Sequence, residues 1–330
     1  MSAIDATKEL EEGGAFPIGA TPARGRGRLI MRRFVRNRLA LTGLIVIVLL
    51  FVAAYAGPFV TQWQLTDIDF DNFQTAPSSS HWFGTTQTGQ DMFLLTMRGA
   101  QKSLVIGLIG GPLTTAIAAL VGSVAGYVGG WVDRALIWFV DVMLVMPSLL
   151  LLAILSPVFR GKTWLLYVVL LAAFAWMITA RIVRSLTLTL KNREFVLAAR
   201  YMGVSGPKII LRHILPNMAS LLIIDATISV ALTILGESGL SYLGFGIQPP
   251  DVSLGTLIGL GQQSVNTYPW LFLFPAAILI LVILAVNFVG DGLRDALDPN
   301  ASGAKARSRK QEDSTVDELP GGETVVEIAQ

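Results

Sequence analysis

The sequence contains no cysteine and only two histidines among its 330 residues. The absence of cysteine excludes disulfide scaffolds, thiolate metal sites and cysteine nucleophiles. His81 and His213 are far apart along the chain, so a histidine-built metal centre is not expected either. Charged residues make up 15% of the chain, whereas soluble globular domains average about 25%. With 53% hydrophobic residues and a mean hydropathy of +0.61, this composition argues against an ordinary soluble enzyme.

Long apolar runs with few charged residues predict an all-α polytopic membrane protein. The first run, residues 39–60, is long enough at ~1.5 Å per residue to cross a hydrocarbon core of about 30 Å. Further spans are predicted at roughly 103–129, 135–157, 163–187, 218–243 and 268–290. The sequence therefore predicts six transmembrane helices, of which the last five form a core at residues 103–292.

The distribution of basic residues predicts the orientation. Residues 1–38 end in a block with seven arginines and read as a cytoplasmic tail. With this tail inside, the loop at 191–217 is also inside, and it carries five lysines and arginines against one acid. Residues 61–102 and the loop at 244–267, which has no lysine or arginine, then lie outside. Six spans return the chain to the cytoplasm, where residues 293–330 are predicted to form a disordered tail. The sequence therefore predicts a multi-pass protein of the plasma (inner) membrane with both termini in the cytoplasm.

No nucleotide-binding loop is present in the sequence. The nearest match is Gly161-Lys162-Thr163, but a Walker A loop needs a glycine five residues before its second glycine, and Ser156 stands there. No HExxH, GxSxG or paired-carboxylate pattern is found on a common helix face. The chain is therefore predicted not to be an enzyme, and any ATP that it uses must be hydrolysed by another subunit.

A few charged residues fall within or close to the predicted spans, where an ionisable group should face a cavity or a partner. Asp141, Arg181 and Arg184 lie near cytoplasmic ends, where the predicted role is snorkelling or headgroup pairing. Asp225 and Glu237 belong to the fifth span, where twelve residues of helix separate them by ~18 Å. One or both line a translocation path, or each bonds to a neighbouring helix; the sequence leaves both interpretations open.

The inner loop at 194–217, here called the elbow, is predicted to fold into two short helices. Gly203 can adopt the positive φ that ends the first helix, and Ser205 and Pro207 suit the cap and first turn of the second. Ala198 and Ala199 are small enough to let another surface approach closely. The expected function is a docking surface for a soluble protein, and the alternative is an interfacial helix on anionic lipid.

The elbow resembles the cytoplasmic coupling loop, or EAA loop, of binding-protein-dependent ABC importer permeases. Ala198, Ala199, Gly203, Leu215 and Pro216 match its pattern, whereas Leu197 replaces the glutamate and His213 the isoleucine. These departures are typical of the peptide-uptake branch. This chain also resembles the peptide-uptake branch in three segments: Arg36-Asn37-Arg38-Leu39-Ala40, His81-Trp82-Phe83-Gly84-Thr85 and Leu240-Ser241-Tyr242-Leu243-Gly244. Further similar positions are Gly89, Asp91, Asp133, Asp141, Pro147, Pro249 and Pro250. The resemblance extends over roughly residues 30–298.

This resemblance implies a C-type permease subunit of a dipeptide, oligopeptide or nickel importer with the type I ABC importer permease fold. Such a subunit pairs with a second, homologous permease and forms half of a translocation path. It binds two cytoplasmic ATPase subunits, or one fused ATPase, which hold ATP and Mg, and it receives substrate from an extracytoplasmic binding protein. The residues assigned to ATPase coupling are Glu194, Ala198, Ala199, Arg200, Gly203, Lys208 and Pro216. No cofactor or metal is expected in the chain itself, and its surroundings are membrane lipid rather than nucleic acid.

The competing hypothesis is an ion- or proton-coupled secondary transporter that acts without ATPase partners. In that case Asp225 and Glu237 would be the proton-linked groups. Against it, the sequence shows no inverted pair of three-span halves, which many secondary transporters have. An intramembrane hydrolase is a third possibility, but the sequence lacks a convincing pair of nucleophile and base.

Overall fold

A computed structural model describes residues 24–159 and 164–297. Within these ranges the chain forms helices, turns and an isolated bridge between Thr85 and Asp91, and no strand. The helices are α1 (Arg24–Arg36), α2 (Arg38–Val60), α3 (Met92–Val128), α4 (Gly130–Val145), α5 (Ser148–Leu155), α6 (Trp164–Ala173), α7 (Met177–Leu190), α8 (Glu194–Tyr201), α9 (Gly206–Ile209), α10 (Leu215–Asn217), α11 (Ala219–Tyr242), α12 (Leu254–Gln262) and α13 (Trp270–Leu297). A 3₁₀ turn, Ser156–Phe159, follows α5, and a π turn, Ile210–Ile214, joins α9 to α10. The prediction of an all-α fold is confirmed. Most of the two predicted tails, and Gly161-Lys162-Thr163, lie outside the described residues.

Four described helices are each long and apolar enough to cross a membrane: α2, α3, α11 and α13. Two bent pairs, α4 with α5 and α6 with α7, bring the number of spans to six if each pair counts as one. The first pair is bent by 82° at Met146 and Pro147, because the residue before a proline favours an extended backbone. The second pair is bent by 51°. The helices thus agree with the predicted number of spans, although two of these are broken.

The helix boundaries differ from the apolar runs at two places. Helix α3 begins at Met92 rather than at 103, and Asp91 caps it by accepting a 2.7 Å hydrogen bond from the Leu94 amide. Its 37 residues extend about 55 Å, so its first turns reach beyond a hydrocarbon core and can carry polar residues. Part of the segment predicted at 61–102 is therefore helix. At the other end of the chain, α13 continues to Leu297.

Helix α3 lies at the centre of the bundle because glycines on two of its faces allow close packing. A Cβ at Gly111 would lie 2.5 Å from the backbone nitrogen of Val230 in α11. A Cβ at Gly122 would lie 2.4 Å from the carbonyl oxygen of Ala180 in α7. Since neither neighbour is a flexible side chain, the backbones would have to separate to admit any larger residue. These small residues set the spacing of α3 from α7 and α11.

The two large polar segments lie at opposite ends of α3. Residues 61–91 lead directly into its first turn, where Met92 donates its amide hydrogen to the Gly84 carbonyl. The elbow packs on its last turns, against Val124 and Tyr127. One helix therefore connects the two sides on which soluble partners are expected.

Candidate coupling elbow and buried carboxylates

The first helix of the elbow, α8, begins at Glu194 and ends where the sequence predicts. Gly203 has a φ of +76°, a left-handed conformation that residues with a Cβ rarely adopt. The amide of Val204 donates to the Ala199 carbonyl at 3.1 Å, and that of Gly203 donates to the Arg200 carbonyl at 3.0 Å. These bonds satisfy carbonyls that a helix end leaves without partners. The positive φ predicted for Gly203 at the end of this helix is confirmed.

The second half of the elbow is less regular than a single helix. Ser205 has the extended backbone of a cap, with φ −64° and ψ 146°, and Pro207 lies in the first turn of α9. The prediction of a cap by Ser205 is only partly right, because its side chain makes no capping hydrogen bond in the described part of the chain. Pro216 has no amide hydrogen to donate within the helix, and the π turn ends two residues before it, at Ile214. The side chain of Asn217 donates to the His213 carbonyl at 2.6 Å.

An apolar cluster fixes the elbow to the ends of α3 and α7. Its buried members include Val183, Val196, Ala199, Ile209, Ile210 and Ile214. Lys191 donates to the Gly126 carbonyl at 2.8 Å, and the ring of Tyr127 covers Gly206. The elbow is thus attached to two spans through a packed core. Ala199 belongs to that core and is 1% exposed, so it does not lie on the outward surface that was expected for both alanines.

The elbow exposes both apolar and basic side chains. Tyr201 is 88% exposed, Met202 76% and Leu211 63%. The predicted coupling residues that are exposed are Glu194, Ala198, Arg200, Gly203, Lys208 and Pro216. Leu211 was missed by the sequence analysis. The inward-facing isoleucines at 209, 210 and 214 imply its outward position, and this pattern could have identified it.

The charged residues predicted near the cytoplasmic ends form ion pairs between α4 and α7. Arg184 binds Asp133 through two nitrogens, at 2.5 and 2.6 Å. Arg181 binds Asp141, and both side chains of that pair are about half exposed. Snorkelling or headgroup pairing was the expected role, so the ion pairs within the chain are a correction. The order of the two pairs fits antiparallel helices, since the later arginine meets the earlier aspartate.

Asp225 joins three helices. Its carboxylate, half-buried on α11, accepts hydrogen bonds from Thr115 of α3 at 2.5 Å and Thr179 of α7 at 2.7 Å. No lysine or arginine forms an ion pair with it among the residues that the structure describes. Asp225 therefore links α11 to α3 and α7, the two helices that donate to its carboxylate.

Glu237 is fully buried, with 0% exposure, near the other end of α11. Ser241 donates to its carboxylate at 2.6 Å, and the hydroxyls of Ser238 and Ser103 lie 3.4 and 3.5 Å away. The structure does not bring Asp225 and Glu237 together, and each has its own set of hydroxyl partners. For both residues, lining of the translocation path stays a prediction.

A buried histidine organises the segment before α3. His81 is 1% exposed, and its two ring nitrogens lie 2.9 Å from Asp91 and 3.3 Å from Asp69. The ring also stacks on Trp63, with centroids 4.4 Å apart. Hydrogen bonds from the Asn72 side chain, the Asp71 backbone and then His81 hold the pKa of Asp69 below its usual value. The motif at residues 81–85 thus ties its segment to the first turn of α3.

The comparison with protein families decides which of the hypotheses holds. Residues 118–303, more than half of the chain, match the model described as binding-protein-dependent transport system inner membrane component. The chain belongs to this family. Residues 25–77 also match a model of the N-terminal TM domain of oligopeptide transport permease C. As a member of the family the chain is a membrane component of an ABC transporter and not itself the catalytic subunit, and the resemblance predicted from the elbow is confirmed.

Individual relatives and a solved structure agree with this family. The chain is 52% identical over 280 residues to the oligopeptide transport system permease protein OppC of Mycobacterium tuberculosis, covering 84% of this chain and 96% of the relative. It is 38% identical over 270 residues to the protein of the same name from Haemophilus influenzae, covering 81% and 86%. A structure of the MetNI methionine ABC transporter in inward-facing conformations is similar, with a TM-score of 0.50 and 22% identity over 63% of this chain and 98% of that one. The likeness to MetNI confirms the ABC importer permease fold.

Proposed function

We propose that this chain is the C-type permease subunit of an ATP-driven importer of di- or oligopeptides in the plasma membrane. Two relatives that match along most of their length carry the name oligopeptide transport permease. The observation that carries the proposal is the elbow, whose outward side chains are apolar and exposed while its inner side is packed on two spans. A solvent-facing apolar patch on a rigid base is what a docked soluble subunit requires.

In the proposed orientation the elbow and both termini are cytoplasmic, and residues 61–91 lie outside. The excess of lysine and arginine near the elbow supports this, because such residues concentrate in cytoplasmic loops. The position of the elbow and of residues 61–91 at opposite ends of α3 agrees with it.

The proposed partners are a second homologous permease, two ATPase subunits or one fused ATPase with bound ATP and Mg, and an extracytoplasmic binding protein. An ATPase that contacts Tyr201, Met202 and Leu211 displaces a segment that is packed on α3 and α7. Because packed elements move as units, the displacement passes to these spans as a rigid-body shift. ATP can favour one state of the permease only if the ATP-bound ATPase contacts that state more strongly, and the elbow is where this difference in contact energy arises.

For the translocation path, the geometry favours Asp225 over Glu237. Asp225 is half-buried and meets α3 and α7, the spans that carry the elbow. Full burial and serine partners favour a structural bond for Glu237. A proton-coupled transporter that acts alone is not retained, since the chain belongs to the importer family.

Copurification and uptake test the proposal together. A tagged chain, extracted gently from membranes, should bring a second permease and ATPase subunits with it. Cells that carry the complete importer should take up labelled trileucine in a way that depends on this chain and stops when ATP is depleted. Recovery of the chain alone, with uptake that is abolished by a protonophore and unaffected by ATP depletion, would contradict the proposal.

A further inference from the structure

Two pockets adjoin at the end of the molecule where α3 begins. The first, here called the charged pocket, has a volume of about 300 Å³ and is bordered by Arg98 and Lys102 of α3 and by Trp164. The second, here called the apolar pocket, has a volume of about 480 Å³ and extends between α3 and α12. Residues 250–252 line both. Volumes of this order are typical of sites for small molecules.

Among the described residues that line it, the charged pocket has two positive charges, Arg98 and Lys102, and one negative charge, Asp251. Lys102 forms a 2.8 Å ion pair with Asp251 and lies over the ring of Trp164 at 4.8 Å. Arg98, one helical turn earlier, has a single polar contact within the described ranges, with Gln101 Oε1 at 3.3 Å, and no carboxylate pairs with it there. A guanidinium presents donors in a planar fork that fits a carboxylate, so this pocket suits an anionic group.

The apolar pocket suits a peptide better than a hydrocarbon chain. Its apolar lining includes Leu95, Leu257, Leu260 and Leu271. Its polar lining includes the side chains of residues 86–88 and 90, which carry hydroxyls and amides. The backbone of a peptide can form hydrogen bonds with these polar groups, and its side chains can fill the apolar space. An acyl chain has no groups that could form hydrogen bonds with the polar lining.

We propose that these two pockets bind the carboxyl-terminal end of a peptide. Arg98 holds the terminal α-carboxylate in the charged pocket, and apolar side chains of the last residues enter the apolar pocket. The inference rests on the proposed function, because that function brings peptides to this side of the membrane. It goes further in naming the end of the peptide that the permease recognises and the residue that recognises it.

Binding to the purified complex, without the binding protein, tests this inference. The probes are trileucine and trileucinamide, which differ only in the terminal carboxylate. The complex should bind trileucine about tenfold more tightly or better, the usual worth of a hydrogen-bonded charge. Arg98→Gln should remove most of this difference, and Arg98→Lys should keep part of it. The matched control is Arg134→Gln. Arg134 is exposed and lies near the start of α4, and this variant should leave the difference intact.

A second variant tests the apolar pocket. Leu260 is 62% exposed, so Leu260→Gln should leave the fold unchanged. It should reduce the preference of the complex for trileucine over trialanine. An unchanged preference would remove the apolar pocket from the site.

Three outcomes would overturn the inference. In the first, the preference for trileucine over trileucinamide is equally large in Arg98→Gln. In the second, the parent complex has no such preference. In the third, the parent complex retains phosphatidylglycerol that is lost in Arg98→Gln while peptide binding is unchanged, which would assign Arg98 to a lipid headgroup. If cells with the importer take up trileucine by an ATP-dependent route, these results refute only the inference. If they take up none, the proposed function fails.

Discussion

The sharpest test of the coupling elbow is a pair of substitutions at Gly203. A Cβ at this position would meet no atom within 4 Å, so a side chain encounters no clash. The cost of a side chain comes instead from the backbone conformation, because φ is +76°. A valine is strongly disfavoured in this conformation, whereas asparagine tolerates it. Gly203→Val and Gly203→Asn therefore differ mainly in backbone strain.

The expected magnitude follows from that strain. A left-handed conformation costs a residue with a Cβ roughly 1–2 kcal/mol. This cost lowers the ratio of native to non-native elbow by a factor of about 5–30. Because the elbow lies outside the spans, insertion of the chain into the membrane should not change. Trileucine uptake should fall in Gly203→Val, by at most about the same factor, and only slightly in Gly203→Asn.

The assay measures ATPase recovery with the tagged chain and trileucine uptake, at matched amounts of chain in the membrane. The expected order is parent, then Gly203→Asn, then Gly203→Val, for both quantities. Equal losses in the two variants would show that bulk at the docking surface matters and the backbone does not. Full activity of Gly203→Val would refute the coupling function of the elbow.

Three further predictions concern orientation, the buried carboxylates and acidity. A cysteine at Ser79 should react with an impermeant reagent in intact cells and one at Ser205 should not; the reverse result would contradict the proposed orientation. Asp225→Asn, which keeps an oxygen that accepts a threonine hydrogen bond and removes the charge, should lower uptake while the amount of assembled complex stays near normal. Glu237→Ala should instead reduce the amount of protein, because it leaves buried hydroxyls unpaired and a cavity behind, at a cost of several kcal/mol; immunoblots of membranes distinguish the two. The pKa of Asp69 is lowered in the folded chain, so its stabilising contribution is complete above the unfolded value of about 4 and is lost as the pH falls through the lower, folded value. Proteolysis of the segment at 61–91 should increase over that acidic range in the parent and should lack this step in Asp69→Asn, and an identical pH profile in the two would exclude Asp69 as the group that titrates.

Features that depend on local chemistry were predictable from the sequence. The number of spans follows from the length of uncharged apolar runs, and the end of α8 follows from a glycine placed after a short amphipathic stretch. The resemblance to the importer family is carried mainly by the same segment, the elbow. In each case one short window of sequence contains the cause.

Features that depend on which elements meet were not predictable. Whether Arg184 snorkels or pairs depends on Asp133, which lies on another helix, 51 residues earlier. Ala198 and Ala199 differ in exposure because only one faces α7, and their neighbours in sequence do not reveal that direction. The bend between α6 and α7 has no proline, and an uninterrupted apolar run conceals it.

The double packing of α3 has a mechanical consequence. Around Gly111 the helix is held by α11, and around Gly122 it is held by α7, in both cases too closely for sliding. Pro112 stands next to the first of these contacts and has no amide hydrogen to donate to the carbonyl four residues earlier. We therefore expect a change in the angle between α7 and α11 to bend α3 near this proline, so that the longest helix described would act as two arms joined at Pro112.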